Sequence, residues 1–197
     1  MATQTADIRE ISQRIKERAE KLGALLFGDF TLTSGAKSSY YFDGRLLSLD
    51  PEGADLISAA FLRLAREAGA RAVGGPVVAA VPIAGAVALR SRLEESRGGS
   101  PMPGFFVRDE AKGHGAGKRV EGPLQPGQPV AVFDDTVSTG GSLLSAVDAV
   151  QEMGCEVTIV MTVLDRQQGG SDEVRRRGIK FRALLEADAQ GNINVVS

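Results

Sequence analysis

The stretch Val130–Ser142, VAVFDDTVSTGGS, decides the fold. The consecutive apolar residues Val130 to Phe133 suit a strand buried on both faces, the kind found in a parallel sheet. That strand ends in two adjacent carboxylates, Asp134 and Asp135, followed by a Thr/Ser/Gly loop and a helix over Gly140–Met153. In open parallel sheets ligands bind beyond the carboxyl ends of the strands, so this loop marks the expected site. Running through Thr136, Val137, Ser138, Thr139, Gly140, Gly141 and Ser142, it offers hydroxyls and unobstructed backbone N–H groups at a helix N-terminus. Free amides and the helix dipole both favour an anion there, which makes the loop a phosphate cradle. Asp134 and Asp135, one step earlier, would repel a second phosphate but accept hydrogen bonds from sugar hydroxyls. A phosphate followed by a ribose diol describes a ribose 5-phosphate; a capped helix start without a ligand is the plainer alternative.

Outward from this stretch, the pattern alternates between strands and helices. Asp7 caps a helix with apolar residues Ile8, Ile11, Ile15, Ala19 and Leu22, ending near Gly23. Phe27 to Leu47 reads as a hairpin turning at Ser34-Gly35, and Asp50-Pro51 opens a helix that stops at Gly69. A strand over Ala72–Gly74 leads to a helix of small residues opened by Pro82 and reaching about Glu95, then to a strand over Phe105–Arg108. The fourteen residues Asp109 to Gly122 have no apolar period, and a loop of that length inside a domain is usually functional or disordered. Glu156–Leu164 and Ile179–Leu185 read as further strands around a short charged helix, Ser171–Arg177. The alternation predicts an α/β fold, a central mostly parallel sheet flanked by helices, in a single domain spanning 1–197.

Composition narrows the class. The chain has 197 residues, 43% of them hydrophobic, with 23 Lys+Arg against 25 Asp+Glu. A formal charge of −2 argues against nucleic acid as a partner held by bulk positive charge. No apolar run approaches the roughly 18 residues of a membrane helix, and the charged first 25 residues carry no signal-peptide core, so a cytoplasmic protein is expected. The lone Cys155 excludes a disulfide framework and a multi-cysteine metal site. Two anion signatures fail on inspection. Gly113-His114-Gly115-Ala116-Gly117 mimics a dinucleotide fingerprint but has no helix pattern after it; Gly117-Lys118 ends like a P-loop, yet Lys112 stands where the first glycine belongs and Arg119 follows.

The Asp-Asp loop resembles the motif by which type I phosphoribosyltransferases bind 5-phosphoribosyl 1-diphosphate (PRPP). Further fragments narrow the likeness: Phe30-Thr-Leu-Thr-Ser-Gly35, Tyr40-Tyr-Phe-Asp43, Gly75-Pro76 with Pro82-Ile-Ala84, Arg108-Asp-Glu-Ala-Lys112-Gly-His114-Gly115, and Leu164-Asp-Arg166. In that order and spacing the chain resembles the orotate phosphoribosyltransferases from about Leu25 to Leu185. The resemblance implies a small N-terminal hood (about 1–47), a core (about 48–197) and a mobile active-site loop (about 109–122). It implies transfer of the phosphoribosyl group of PRPP to orotate, giving orotidine 5′-monophosphate and pyrophosphate in pyrimidine biosynthesis. By motif position Asp134 and Asp135 would hold the ribose hydroxyls and Thr136 to Ser142 the 5-phosphate. Arg108, Lys112 and His114 would contact the pyrophosphate and carry catalysis, the loop being supplied across a homodimer. Tyr41, Phe42, Ser138 and Arg166 fall where the family contacts orotate, an anionic ring suited to an arginine fork. Mg²⁺ is implied as cofactor, carried by PRPP near Asp134 and Asp135 rather than held by dedicated ligands.

The chain also departs from its family. Asp109 follows the loop arginine, Val78 and Ala79 follow the Gly-Pro turn, and Thr33 precedes Ser34, at places where many members carry lysine. A phosphoribosyltransferase acting on another base, or a PRPP-sensing regulator with weakened catalysis, are the alternatives these departures leave open.

Overall fold

The computed structural model describes residues 7–31, 35, 37–97, 99–109 and 119–196. In chain order the elements are α1 (Ile8–Leu22), β1 (Leu25–Thr31), β2 (Lys37–Phe42), α2 (Gly44–Ser48), α3 (Pro51–Glu67), β3 (Ala72–Pro76) and α4 (Ala80–Leu93). After these come β4 (Gly104–Val107), β5 (Val120–Glu121), β6 (Pro129–Val137), α5 (Gly141–Glu152), β7 (Glu156–Asp165), α6 (Gly170–Arg176), β8 (Phe181–Ala187) and β9 (Ile193–Val195). The main sheet has the order β5-β4-β3-β6-β7-β8-β9, parallel from β4 to β8 and closed at each edge by an antiparallel strand. β1 and β2 form a separate antiparallel hairpin, with a bulge between Phe27 and Phe30. Among the described residues, no helix is long and apolar enough to cross a membrane.

Strand β6 divides the core. Its Ala131 and Phe133 join one apolar cluster with Ile11 and Ile15 of α1, Leu56 and Phe61 of α3, and Ile83 and Val87 of α4. Its Val130 and Val132 join the other with Leu143, Val147 and Val150 of α5 and Val174 of α6. Successive side chains point to opposite faces, so an unbroken apolar run is the requirement for a strand covered on both sides. The rings of Phe61 and Phe133 meet at 5.2 Å between centroids. Leu25, Tyr40 and Phe42 bring the inner side of the hairpin into the same cluster as α1.

Local signals place most of the boundaries. Asp50 caps α3 by accepting a hydrogen bond from the Gly53 N–H at 2.9 Å, and it also takes the Arg18 guanidinium in a fork at 2.6 and 2.8 Å. That fork ties α1 to α3 and holds the Asp50 carboxyl well down, at about 2. The structure differs from the sequence reading in five places. The stretch expected as a hairpin to Leu47 leaves the hairpin at Phe42 and turns into α2, which the Asp43 carboxylate caps by accepting the Arg45 N–H. α4 opens at Ala80 rather than Pro82, because a proline fits within the first turn, where its missing N–H is an orphan in any case. β6 runs on through both carboxylates to Val137, since β7 continues beside it as far as Asp165. The end of the expected loop is a strand, β5, in which Val120 pairs with Val107; one valine among polar neighbours has no period to read. β9, three residues long, is missed for the same reason.

Close backbone approach explains a glycine in the middle of β3. A Cβ on Gly75 would lie 1.8 Å from the Phe133 carbonyl oxygen and 2.9 Å from the Ala80 Cβ. Gly85, in α4, has nothing within 4 Å of its Cβ position. Gly75→Ala should therefore cost at least about 2 kcal/mol by overpacking β3 against β6. Gly85→Ala should gain roughly 0.5–1 kcal/mol from helix propensity. Urea unfolding of the two variants beside the parent checks the opposite signs.

Candidate functional site

The carboxyl ends of β6 and β7 lie side by side, with Val137 level with Asp165. Beyond them the Arg166 N–H donates to the Val137 carbonyl at 2.8 Å, and the Gly170 N–H donates to the Ser138 carbonyl at 3.0 Å. These bonds fix the short loop 138–140 against the turn after β7. α5 starts at Gly141 with no side chain capping it, so no cap competes for its first N–H groups, as the phosphate reading requires.

The two carboxylates differ in setting. Asp134 is 6% exposed; its Oδ1 accepts the Asp135 N–H at 2.9 Å and its Oδ2 accepts the Ser142 hydroxyl at 3.2 Å. Burial, reinforced by the Asp135 charge, pushes its carboxyl up to about 7. Asp135 opens onto the cleft; burial raises its carboxyl as well, Asp43 adds to the rise and Arg45 opposes it. Gly44 makes this arrangement possible, because a Cβ there would come within 2.4 Å of an Asp135 carboxylate oxygen.

A cleft of about 770 Å³ lies in front of these residues. It is lined by Tyr41, Phe42, Asp43, Gly44 and Arg45, by Val78 and Ala79, and by Asp135, Thr136, Ser138, Thr139, Arg166 and Gln168. The four residues singled out for the base, Tyr41, Phe42, Ser138 and Arg166, thus share one cavity with Asp135. Tyr40 and Tyr41 point opposite ways, as neighbours on a strand must: Tyr40 is 6% exposed and Tyr41 38%. The Arg166 guanidinium lies over the Tyr40 ring at 5.3 Å. Phe42 is 5% exposed and belongs chiefly to the core.

Other candidates stand elsewhere. Asp134 lies beneath the surface, the Val137 side chain is in the core, Gly140 and Gly141 begin α5, and Ser142 is engaged with Asp134. Arg108, after β4, pairs with Glu121 at 3.2 Å and lies 5.7 Å from the Phe106 ring. Lys112 and His114 fall outside the described residues. The sequence reading missed Arg45 and Gln168 in the cleft, and also Asp165. That last carboxylate is 1% exposed and accepts the N–H of Gln167, which has a left-handed φ of 53°; together they shape the turn that presents Arg166. The Tyr-Phe-Asp fragment lies two residues before Arg45, and Gln168 lies two beyond Arg166, so proximity to a motif was the available signal.

No protein-family model matches the chain. The orotate phosphoribosyltransferase of Rhodopirellula baltica is 42% identical over 167 residues, 82% of this chain and 84% of that one. The crystal structure of Mycobacterium tuberculosis orotate phosphoribosyltransferase in complex with Fe(III) dicitrate superposes with a TM-score of 0.77 at 34% identity, covering 89% of this chain and 96% of that one. The same enzyme in complex with PRPP gives a TM-score of 0.69 at 31% identity, over 92% of this chain and 96% of that one.

The carboxyl of Asp134 yields a pH prediction. Its pKa is about 7 in the folded chain and about 3.9 when unfolded. Between those values the folded state holds a proton that the unfolded state releases, so this group makes the protein less stable as pH rises from about 4 to about 7. Asn in its place removes the charge: its Oδ1 accepts the Asp135 N–H as before, and its Nδ2 donates to the Ser142 hydroxyl oxygen, the reverse of the present bond. Asp134→Asn should leave stability unchanged near pH 4 and raise it by roughly 1–3 kcal/mol at pH 8. Denaturant titrations at the two pH values measure this.

Proposed function

Because the chain belongs to the orotate phosphoribosyltransferase family, we propose that its cleft joins PRPP to orotate, yielding orotidine 5′-monophosphate and pyrophosphate for pyrimidine biosynthesis. The observation that carries this reading is the meeting of Tyr41, Phe42 and Arg166 with Asp135, Thr136 and Ser138 in one cavity. The N–H groups of the loop 138–140 and the start of α5 receive the 5-phosphate. Asp135 accepts hydrogen bonds from the ribose hydroxyls, and Asp134 supports it from behind through the Asp135 N–H. The planar fork of Arg166 takes the orotate carboxylate, held in place by the Tyr40 ring on one side and the Asp165–Gln167 turn on the other.

In the reaction a ring nitrogen of orotate gives up its proton to solvent and forms a bond to ribose C1, while the bond from C1 to the diphosphate oxygen breaks, its electron pair leaving with the diphosphate. The ribose passes through an oxocarbenium-like state, and negative charge grows on the leaving group. The chain's contribution is to hold both reactants in line and to place cations by the diphosphate. Lys112 and His114, with Arg108 at the base of the loop, serve that role in this reading, the loop being shared between the subunits of a homodimer. Exposed aliphatic side chains on α2 (Leu46), just after it (Leu49) and on α4 (Val81, Leu89, Leu93) favour such an association. The hard carboxylate oxygens of Asp135, open to the cleft, suit Mg²⁺ arriving with PRPP. Bound there, the ion would neutralise charge on the diphosphate. The hood at 1–47 and the core at 48–197 are the two parts of this single domain, and the enzyme works in the cytoplasm.

Incubation with PRPP, Mg²⁺ and one base at a time tests the reading: pyrophosphate should appear with orotate and not with uracil or adenine. Release with a neutral base would favour a different acceptor, and PRPP binding without release would favour a sensor. Arg166→Lys should raise the KM for orotate at least about tenfold and change that for PRPP less than about twofold, since an ammonium does not reproduce a bidentate fork. Steady-state kinetics with each substrate varied in turn decides between this and a general loss.

A further inference from the structure

The charged side chains lining the cleft, among the described residues, are Asp43, Arg45, Asp135 and Arg166. The substrates bring three anionic groups: a ring carboxylate, a 5-phosphate and a diphosphate. Arg166 and the N–H groups around Ser138 account for the first two on the reading given above, on which this inference rests. The diphosphate carries the most charge; of the partners given it above, Arg108 does not line the cleft and Lys112 and His114 lie outside the described residues, so a further partner on the cleft lining is open to it.

The shape of PRPP says where that partner must be. Its hydroxyls are on C2 and C3, its 5-phosphate hangs from one end of the sugar, and its diphosphate hangs from C1 at the other. With the hydroxyls on Asp135 and the 5-phosphate at the loop 138–140, the diphosphate lies past Asp135, away from that loop. The element on that side is α2. Its first residue, Gly44, packs directly on Asp135, where a Cβ would come within 2.4 Å of a carboxylate oxygen. Its next residue is Arg45, and Val78 and Ala79, which line the same cleft, are uncharged.

We propose that Arg45, aligned by Asp43, binds the diphosphate of PRPP. Nε and Nη2 of Arg45 donate to the two Asp43 carboxylate oxygens at 3.0 and 3.1 Å, which fixes the plane of the guanidinium. Of the five N–H groups of an arginine, such a fork leaves three for a ligand. The side chain of Arg45 is 63% exposed and lines the cleft, while that of Asp43 is 17% exposed, so the fork is anchored on its more buried partner and the remaining N–H groups stay accessible. Capping of α2 does not require the guanidinium: the Asp43 carboxylate already accepts the Arg45 backbone N–H at 3.1 Å. Arg45 also acts electrostatically on Asp135, favouring the ionised form of the group that holds the sugar.

Pyrophosphate and ribose 5-phosphate divide PRPP into the part Arg45 should feel and the part it should not. Calorimetry of each ligand with Mg²⁺ should find that Arg45→Gln weakens pyrophosphate about tenfold or more and ribose 5-phosphate less than about twofold. Arg45→Lys should recover most of the pyrophosphate affinity, because a point charge suffices for a phosphate group. The KM for PRPP should rise in Arg45→Gln with that for orotate unmoved. Equal losses for both ligands would make Arg45 a support for Asp135 alone, and no loss for pyrophosphate would make it only a partner of Asp43; either result overturns the proposal. Both are binding measurements, so absence of orotate transfer in the parent counts against the proposed reaction, and absence of contrast between the two ligands counts against Arg45.

Discussion

Two adjacent carboxylates placed at the end of a strand covered on both faces impose a demand that the surrounding residues meet one by one. A buried charge is costly unless it is paired or hydrogen-bonded. Asp134 finds the Asp135 N–H and the Ser142 hydroxyl, neither of them a cation, and so keeps its proton to about pH 7. Asp135 has the cleft and the field of Arg45. The elements around the pair come unusually close. Gly75 meets the Phe133 carbonyl and Gly44 meets Asp135 at distances that admit no side chain. The start of α2 is thereby part of the site's lining, and β3 packs tightly against the strand that carries the pair, although neither contributes a side chain at those positions.

The hairpin and the strand ends divide the recognition work. β2 sends Tyr40 inward and Tyr41 outward, so a single strand supplies both a support for Arg166 and a surface of the cavity. The turn after β7 supplies the rest of the support, through Asp165 and the left-handed Gln167. An arginine that must present a fork to a flat anion has much rotamer freedom to lose. The ring beneath it and the fixed turn behind it remove that freedom before any ligand arrives, which is preorganisation in structural form.

What the sequence made legible follows from how strongly each element is patterned. Val130–Phe133 is unambiguous because four apolar residues before a polar loop fit few other environments, and Asp50-Pro51 carries both a cap and a first-turn proline. β5 and β9 are held by pairing with β4 and β8 rather than by any period of their own, so nothing local marks them. The same division runs through the site. Asp135, Ser138 and Arg166 stand in recognisable fragments. Asp165 stands in the same fragment as Arg166, but its part in the turn shows only once its hydrogen bond from Gln167 is seen; Arg45 depends on which neighbours the fold brings to it, and a lone arginine after Asp-Gly looks like any solvated surface charge until Gly44 is seen against Asp135.

The antiparallel strands that close the sheet have a consequence for the life of the chain in a crowded solution. An open parallel sheet exposes rows of unpaired N–H and C=O groups at its margins, and such margins template the addition of strands from other molecules. Here the margins are β5, two residues long, and β9, three residues long, and both run against the grain of their neighbours. So short a rim gives an incoming strand little to register on, and the long, apolar parallel strands sit in the interior where they are reached only by unfolding.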